Sequence, residues 1–152
     1  MTHRPPHDDE CQFALWNSKR MMSAREFRSV VVAHADIALG ELLALLLRLN
    51  EFHAIAIPDM ETVELMFGHW WPSALLMDTR LGRRSNFRFI RDAAVNPAFR
   101  SVLIVALTSN WRELSPGELR RVGFDGLCRR PCQAWRLADM LNEHFHLLPG
   151  QF

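Results

Sequence analysis

The chain is short of several things, and each shortage closes off a class of function. Its three cysteines, Cys11, Cys128 and Cys132, are too few and too scattered for a disulfide framework. The spacing of Cys128 and Cys132 fits neither a redox motif nor a zinc site. No apolar run reaches the length that spans a bilayer, and the longest, Leu42 to Leu47, falls well short. The first ten residues, dominated by proline, histidine and acid, lack the charged-then-apolar layout of a secretion signal, so the cytoplasm is the expected compartment. A formal net charge of +1 gives no global reason to expect nucleic acid or an anionic membrane as partner. There is no glycine-rich phosphate loop, no Ser/His/Asp set and no internal repeat. His3, His7, His53, His69, His144 and His146 form no recognisable ligand set.

What is present reads as one soluble globular domain. The 152 residues are 49% hydrophobic and 23% charged, enough to bury a proper core. Residues 1–27 are expected to be a flexible leader, because the apolar groups of Cys11–Trp16 and Met21–Met22 show no clear period. Residues 28–147 are the expected domain, and 148–152 a tail. Within the domain, apolar runs alternate with amphipathic stretches. Strands are expected at Ser29–Ala33, Phe52–Ile57, the run ending at Asp78, Ser101–Leu107 and Phe124–Cys128. The first helix runs from an N-cap at Asp36 to Asn50, with Ile37, Leu39, Leu42, Leu43, Leu46 and Leu47 on a broad apolar stripe. The second opens at Pro58-Asp59 and turns Val63, Leu65, Met66 and Trp70 inward. The third covers Asn86–Val95. The fourth starts at Ser115-Pro116, an N-cap with proline at the first helical position, and closes at Gly123. The fifth, Gln133–His146, carries Trp135, Leu137, Met140, Leu141 and Phe145 on its core side. Near-continuous apolar strands between amphipathic helices imply a parallel sheet covered on both faces. The expected fold is a flavodoxin-like, doubly wound α/β domain: five parallel strands in the order 2-1-3-4-5, with five helices.

In such a sheet, ligands gather beyond the carboxyl ends of the strands. Asp78 stands there, at the end of Ala74-Leu75-Leu76-Met77. Thr108 ends the next apolar run, Ala33-His34 ends the first, and Arg130-Pro131 follows the last. Four strand ends are therefore expected to converge on one pocket.

With those markers in register, residues 28 to about 147 resemble the receiver domain of two-component response regulators. In that family the third strand ends in the aspartate that accepts a phosphoryl group, the fourth in Thr or Ser, and the fifth leads to a Lys-Pro pair. Here Asp78, Thr108 and Arg130-Pro131 occupy those places, and Val122-Gly123-Phe124-Asp125 resembles the usual turn before the last strand. The resemblance implies a stand-alone signalling domain of a phosphorelay, with Asp78 as the phosphoacceptor. It also implies a protein partner: a histidine kinase, a phosphotransfer protein or a downstream effector, with a homodimer as a further option. Output is expected through the surface of the fourth helix, fifth strand and fifth helix. No enzyme activity is expected.

The pattern also departs from the family. Ala33-His34 replaces the acidic pair, Arg130 the lysine, and Leu127 the switch aromatic. Phosphoryl transfer to a carboxylate needs a divalent cation, and Mg²⁺ wants a near-octahedral oxygen set anchored by carboxylates. Asp78 is the one carboxylate expected in the pocket. Asp36 is the only other candidate ligand, and it is needed as an N-cap. Mg²⁺ is thus expected to bind weakly if at all, with no other cofactor. Asp78 is expected to pair with Arg130, and with His34, in a standing ion pair that makes the domain independent of phosphorylation.

Two other functions compete. Arg80, Arg83, Arg84, Arg88 and Arg91 could bind an anion such as a cyclic dinucleotide, although a solvated helix face accounts for them more simply. An aspartyl-phosphate hydrolase would need a second acid two positions after Asp78, where Arg80 stands. Trp70, Trp71 and Trp135 are expected in the core. Trp111, with Arg83 and Arg84, is the expected interface.

Overall fold

The computed structural model describes residues 13–16, 29–108, 114–129 and 134–146. Among the described residues, six strands and five helices follow one another as β1 (Phe13–Leu15), β2 (Ser29–Ala33), α1 (Ile37–Leu49), β3 (His53–Ile57), α2 (Met60–Phe67), β4 (Ala74–Asp78), α3 (Arg88–Val95), β5 (Leu103–Thr108), α4 (Pro116–Val122), β6 (Gly126–Arg129) and α5 (Ala134–His146). Short 3₁₀ turns follow β4 at Thr79–Leu81 and α3 at Pro97–Phe99. The sheet order is β1-β6-β5-β4-β2-β3. The pairs among β2 to β6 are all parallel, whereas β1 runs antiparallel to β6. Counted without β1, the strands stand in the 2-1-3-4-5 order that the sequence implies.

The sixth strand is the departure. Residues 13–15 belong to the stretch read as a flexible leader without period, yet they pair with β6 in the register Phe13↔Cys128, Ala14↔Leu127, Leu15↔Gly126. The period was hidden because both faces of this strand are covered. Leu15 packs on one apolar layer while Ala14 and Trp16 pack on the other, so alternation in space reads as continuous apolarity in sequence. The rest of the leader, and the tail 148–152, lie outside the described residues.

The period of two sorts the strands between the two layers. Val30, Val32, Leu76 and Val105 face α1 and α5, meeting Leu43, Leu47, Leu137 and Leu141. Val31, Leu75, Ile104 and Leu127 face the other way, onto Val63, Ile90, Leu119 and Phe124. Each fully buried aliphatic side chain contributes about 1.5–3 kcal/mol.

The helix stripes are narrower than the sequence suggests. In α1 the buried residues are Gly40, Leu43, Ala44 and Leu47, while Ile37 and Leu42 are exposed. A 3.6-residue period cannot turn six large side chains to one face. In α2 the inward positions are Val63 and Phe67; Leu65 is 69% exposed and Trp70 44%. Trp71 and Trp135 are also exposed rather than core.

The caps follow their local chemistry. Asp36 and Asp59 cap α1 and α2 by accepting the Leu39 and Thr62 N–H groups. At α4, Ser115 and Glu118 form a reciprocal capping box. The helix α1 ends in a Schellman motif, with Glu51 N–H donating to the Arg48 carbonyl and Phe52 N–H to the Leu47 carbonyl. Cys128 takes part in a disulfide. Cys11 and Cys132 lie outside the described residues. No helix among the described residues is long and apolar enough to cross a membrane.

Candidate functional site

The parallel strands end together on one rim of the sheet. Ala33, Asp78 and Thr108 close β2, β4 and β5 there, and Arg129 closes β6 opposite Thr108. Asp78 is 2% exposed, which would disfavour a charge unless it is compensated. The compensation is dense and local. Asp78 caps the 3₁₀ turn behind it, so that Arg80 N–H reaches Oδ1 at 3.0 Å. The same tight turn folds the Arg80 side chain back over the carboxylate. Its Nε lies 3.1 Å from both oxygens and its Nη2 2.8 Å from Oδ2. Across the β2 end, Ala35 N–H donates to Oδ2 at 3.1 Å.

Burial by itself pushes the Asp78 carboxyl up. The Arg80 guanidinium, the Arg80 and Ala35 N–H groups and the charge of His34 outweigh it and hold the group below the ordinary carboxylate range.

His34 is buried against this pair, with Nδ1 3.4 Å from Oδ2. Nδ1 also lies 3.0 Å from the Asp36 N–H, which it accepts. The imidazole attracts the carboxylate strongly only once it is protonated. Gly40, in the first turn of α1, leaves room for it, because a Cβ there would lie 3.0 Å from His34 Cβ.

The guanidinium partner expected for Asp78 was Arg130. Arg130 and Pro131 lie outside the described residues, as does Trp111; the partner that the described residues provide is Arg80. Sequence spacing carried the signal: an arginine two positions after a strand-end aspartate that caps a tight turn faces back toward it. Asp36 caps α1 and points its oxygen at Leu39 N–H, not at the pocket. Thr108 is fully buried, and its hydroxyl has no hydrogen-bond partner among the described residues. Leu127 is also fully buried, in the layer with Phe124 and Leu119.

The arginine cluster does not converge. Arg80 covers Asp78, whereas Arg91 turns back to the Asn86 carbonyl at 2.9 Å. Arg83, Arg84 and Arg88 stand exposed along the loop and helix. No group of three or more His, Cys, Asp or Glu side chains suited to a metal ion occurs among the described residues.

Compared with solved structures, the chain matches a response regulator receiver protein from Burkholderia phymatum at a TM-score of 0.65 and 16% identity, over 80% of this chain and 98% of that one. It matches the signal receiver domain of a DNA-binding response regulator from Colwellia psychrerythraea at 0.69 and 12%, over 78% and 98%. The fold is that of a response-regulator receiver domain. A third receiver domain, from a sensor histidine kinase of Pseudomonas aeruginosa, matches at 0.66 and 18%, over 77% and 96% of the chains, and was solved with magnesium coordinated in its active-site cleft. No protein-family model and no curated protein matches the sequence. Against the receiver fold, Asp78, Thr108 and the Ala33-His34 pair occupy the strand-end rim, and β1 is an addition to the five parallel strands.

Proposed function

We propose that the chain is a receiver-like signalling module of a two-component system that works by binding another protein, with a pocket held closed by its own arginine. The observation that carries this reading is the two-pronged hold of Arg80 on Asp78. A guanidinium sits against the carboxylate where an active receiver would offer oxygen to a cation. Both carboxylate oxygens already accept N–H donors, and Ala33 and His34 bring no second carboxylate. This donor set does not fit Mg²⁺, which needs several oxygens in near-octahedral array. Asp78 remains the position that corresponds to the phosphoacceptor. The buried Thr108 hydroxyl is a donor suited to an anionic group on the same rim, which keeps the pocket receiver-like in layout.

Under this reading the chain is not an enzyme. The position where an aspartyl-phosphate hydrolase needs a second acid holds Arg80, already committed to charge pairing. The divergent arginines give little support to a dinucleotide site. The partner is a histidine kinase, a phosphotransfer protein or a downstream effector, met in the cytoplasm. Intact-mass and peptide mass spectrometry after incubation with acetyl phosphate, with and without Mg²⁺, test the proposal. The expected result is no Mg²⁺-dependent adduct at Asp78. Stoichiometric, Mg²⁺-dependent aspartyl phosphate would overturn the closed pocket.

A further inference from the structure

The helix α1 is apolar all the way round. Of its residues only Glu41 and Arg48 are charged, and seven are leucine. One face is spent on the core, where Leu43, Ala44 and Leu47 pack with the sheet and α5. The opposite face is just as apolar, yet the fold leaves it open. Leu42, Leu45 and Leu49 are 45–71% exposed. With the exposed Ala38 they recur at spacings of four, three and four residues, which draws a straight stripe along the outside of the helix. A surface helix ordinarily turns polar residues to water, and one that is hydrophobic on every side belongs in an interior.

The two charges point to what covers the stripe. At about 3.6 residues per turn, Glu41 and Arg48 fall on the same flank of it, about two turns apart. That flank faces the outer edge of the sheet, because Arg48 Nη1 donates to the Ala54 carbonyl of the edge strand β3 at 2.8 Å. This bond uses one N–H and leaves the rest of the guanidinium fork for another acceptor. Glu41 has no ion pair among the described residues. When a second copy of α1 lies antiparallel across a two-fold axis, groups on the same flank meet. Glu41 of each copy then stands opposite the partner's Arg48, and the contact is made twice. A rise of about 1.5 Å per residue fixes the rest of the register. Leu42, Leu45 and Leu49 of one helix alternate along the axis with the same three leucines of the other, at steps of about 1.5–3 Å. The placement that pairs the charges is therefore also the one that interleaves the leucines.

From this placement we infer that α1 is a homodimer interface, its Leu42, Leu45 and Leu49 stripe covered by the same stripe of a second copy. Glu41 and Arg48 set the antiparallel register, since charge placement across an interface governs which partner and which alignment fit. This inference is independent of the chemistry at Asp78. One helix from each copy makes a small interface, of the class that associates weakly and exchanges.

Sedimentation velocity on the full-length chain tests it, over a range of concentrations and in reducing buffer so that no disulfide between copies contributes. The unaltered chain is expected to pass from monomer to dimer as concentration rises. Leu45→Lys brings two like charges together at the two-fold axis and is expected to raise the dimer Kd at least tenfold. The charged pair gives the sharper test. Glu41→Lys and Arg48→Glu each set like charges opposite one another in their own dimers, so each alone is expected to associate at least tenfold more weakly. Mixed in equal amounts, the two variants restore opposite charges at both contacts and are expected to dimerise in the concentration range of the unaltered chain. Circular dichroism and thermal unfolding identify a variant that has lost its fold. If Arg48→Glu does so on giving up the Ala54 bond, Leu45→Lys and Glu41→Lys carry the test. An unaltered chain that stays monomeric at every concentration would overturn the inference and assign the stripe to another protein or another segment of the chain. A dimer that ignores Leu45→Lys, or folded charge variants that fail to associate when mixed, would overturn it too.

Discussion

At the scale of single residues, Asp78 is tuned by neighbours within a few ångströms. Its lowered pKa in the fold has a defined consequence. The unfolded chain takes up the proton at a higher pH than the folded one, so this group's stabilisation is complete above the ordinary carboxylate value, about 3.9. It is lost as pH falls through the lower folded value. Urea denaturation at a series of acidic pH values should therefore show a steeper loss of stability for the unaltered chain than for Asp78→Asn. Parallel curves for the two proteins would refute the assignment. Replacing Arg80 with alanine should cost about 1 kcal/mol at neutral pH, at the low end for a charged hydrogen bond, because its side chain is 38% exposed and water screens it. The residues of the rim were legible in the sequence because a strand-end carboxylate is a conspicuous feature. Its partner was not. Arg80 stood in a run of arginines that reads as a solvated face, and only the backbone of the 3₁₀ turn separates it from Arg83 and Arg84.

At the scale of elements, caps and periods explain most of what sequence alone conveys. Ser115-Pro116 with Glu118, Asp36 and Asp59 mark helix starts by chemistry that acts over three or four residues, and all three helices begin where those groups stand. Stripe width was harder to read, since the seven leucines in α1 satisfy several faces and tertiary contact decides which is buried. The end of α1 offers a test. Glu51 sits at φ 70°, a left-handed conformation that costs a side-chain-bearing residue about 1 kcal/mol and glycine almost nothing. Glu51→Gly should raise the free energy of unfolding by a few tenths to about 1 kcal/mol in chemical denaturation. A destabilised variant would mean that the Schellman geometry is not what ends the helix. The strand β1 was illegible for the opposite reason: three residues between two apolar layers carry too little pattern to show a period.

At the scale of the whole molecule, the two layers share one sheet, and the central strands belong to both. Leu76 is fully buried in the layer of α1 and α5, so Leu76→Ala should cost about 2–5 kcal/mol. Leu65, which the helical period alone would turn inward, is exposed; Leu65→Ala should stay within about 0.5 kcal/mol. Equal losses in guanidinium melts would contradict the layer assignment. Topology was the most legible property of all, because strand–helix alternation and right-handed crossovers leave few arrangements of five parallel strands.

The two halves of the Asp78–Arg80 pair are adjacent in the chain as well as in space. Such a counter-ion is delivered by the polypeptide itself, at an effective concentration that no dissolved cation matches at ordinary salt. Raising ionic strength should therefore loosen it far less than a pair between distant surface residues. A segment of three residues, Asp78-Thr79-Arg80, would carry the same neutralisation with it into any receiver scaffold whose strand ends in the same turn.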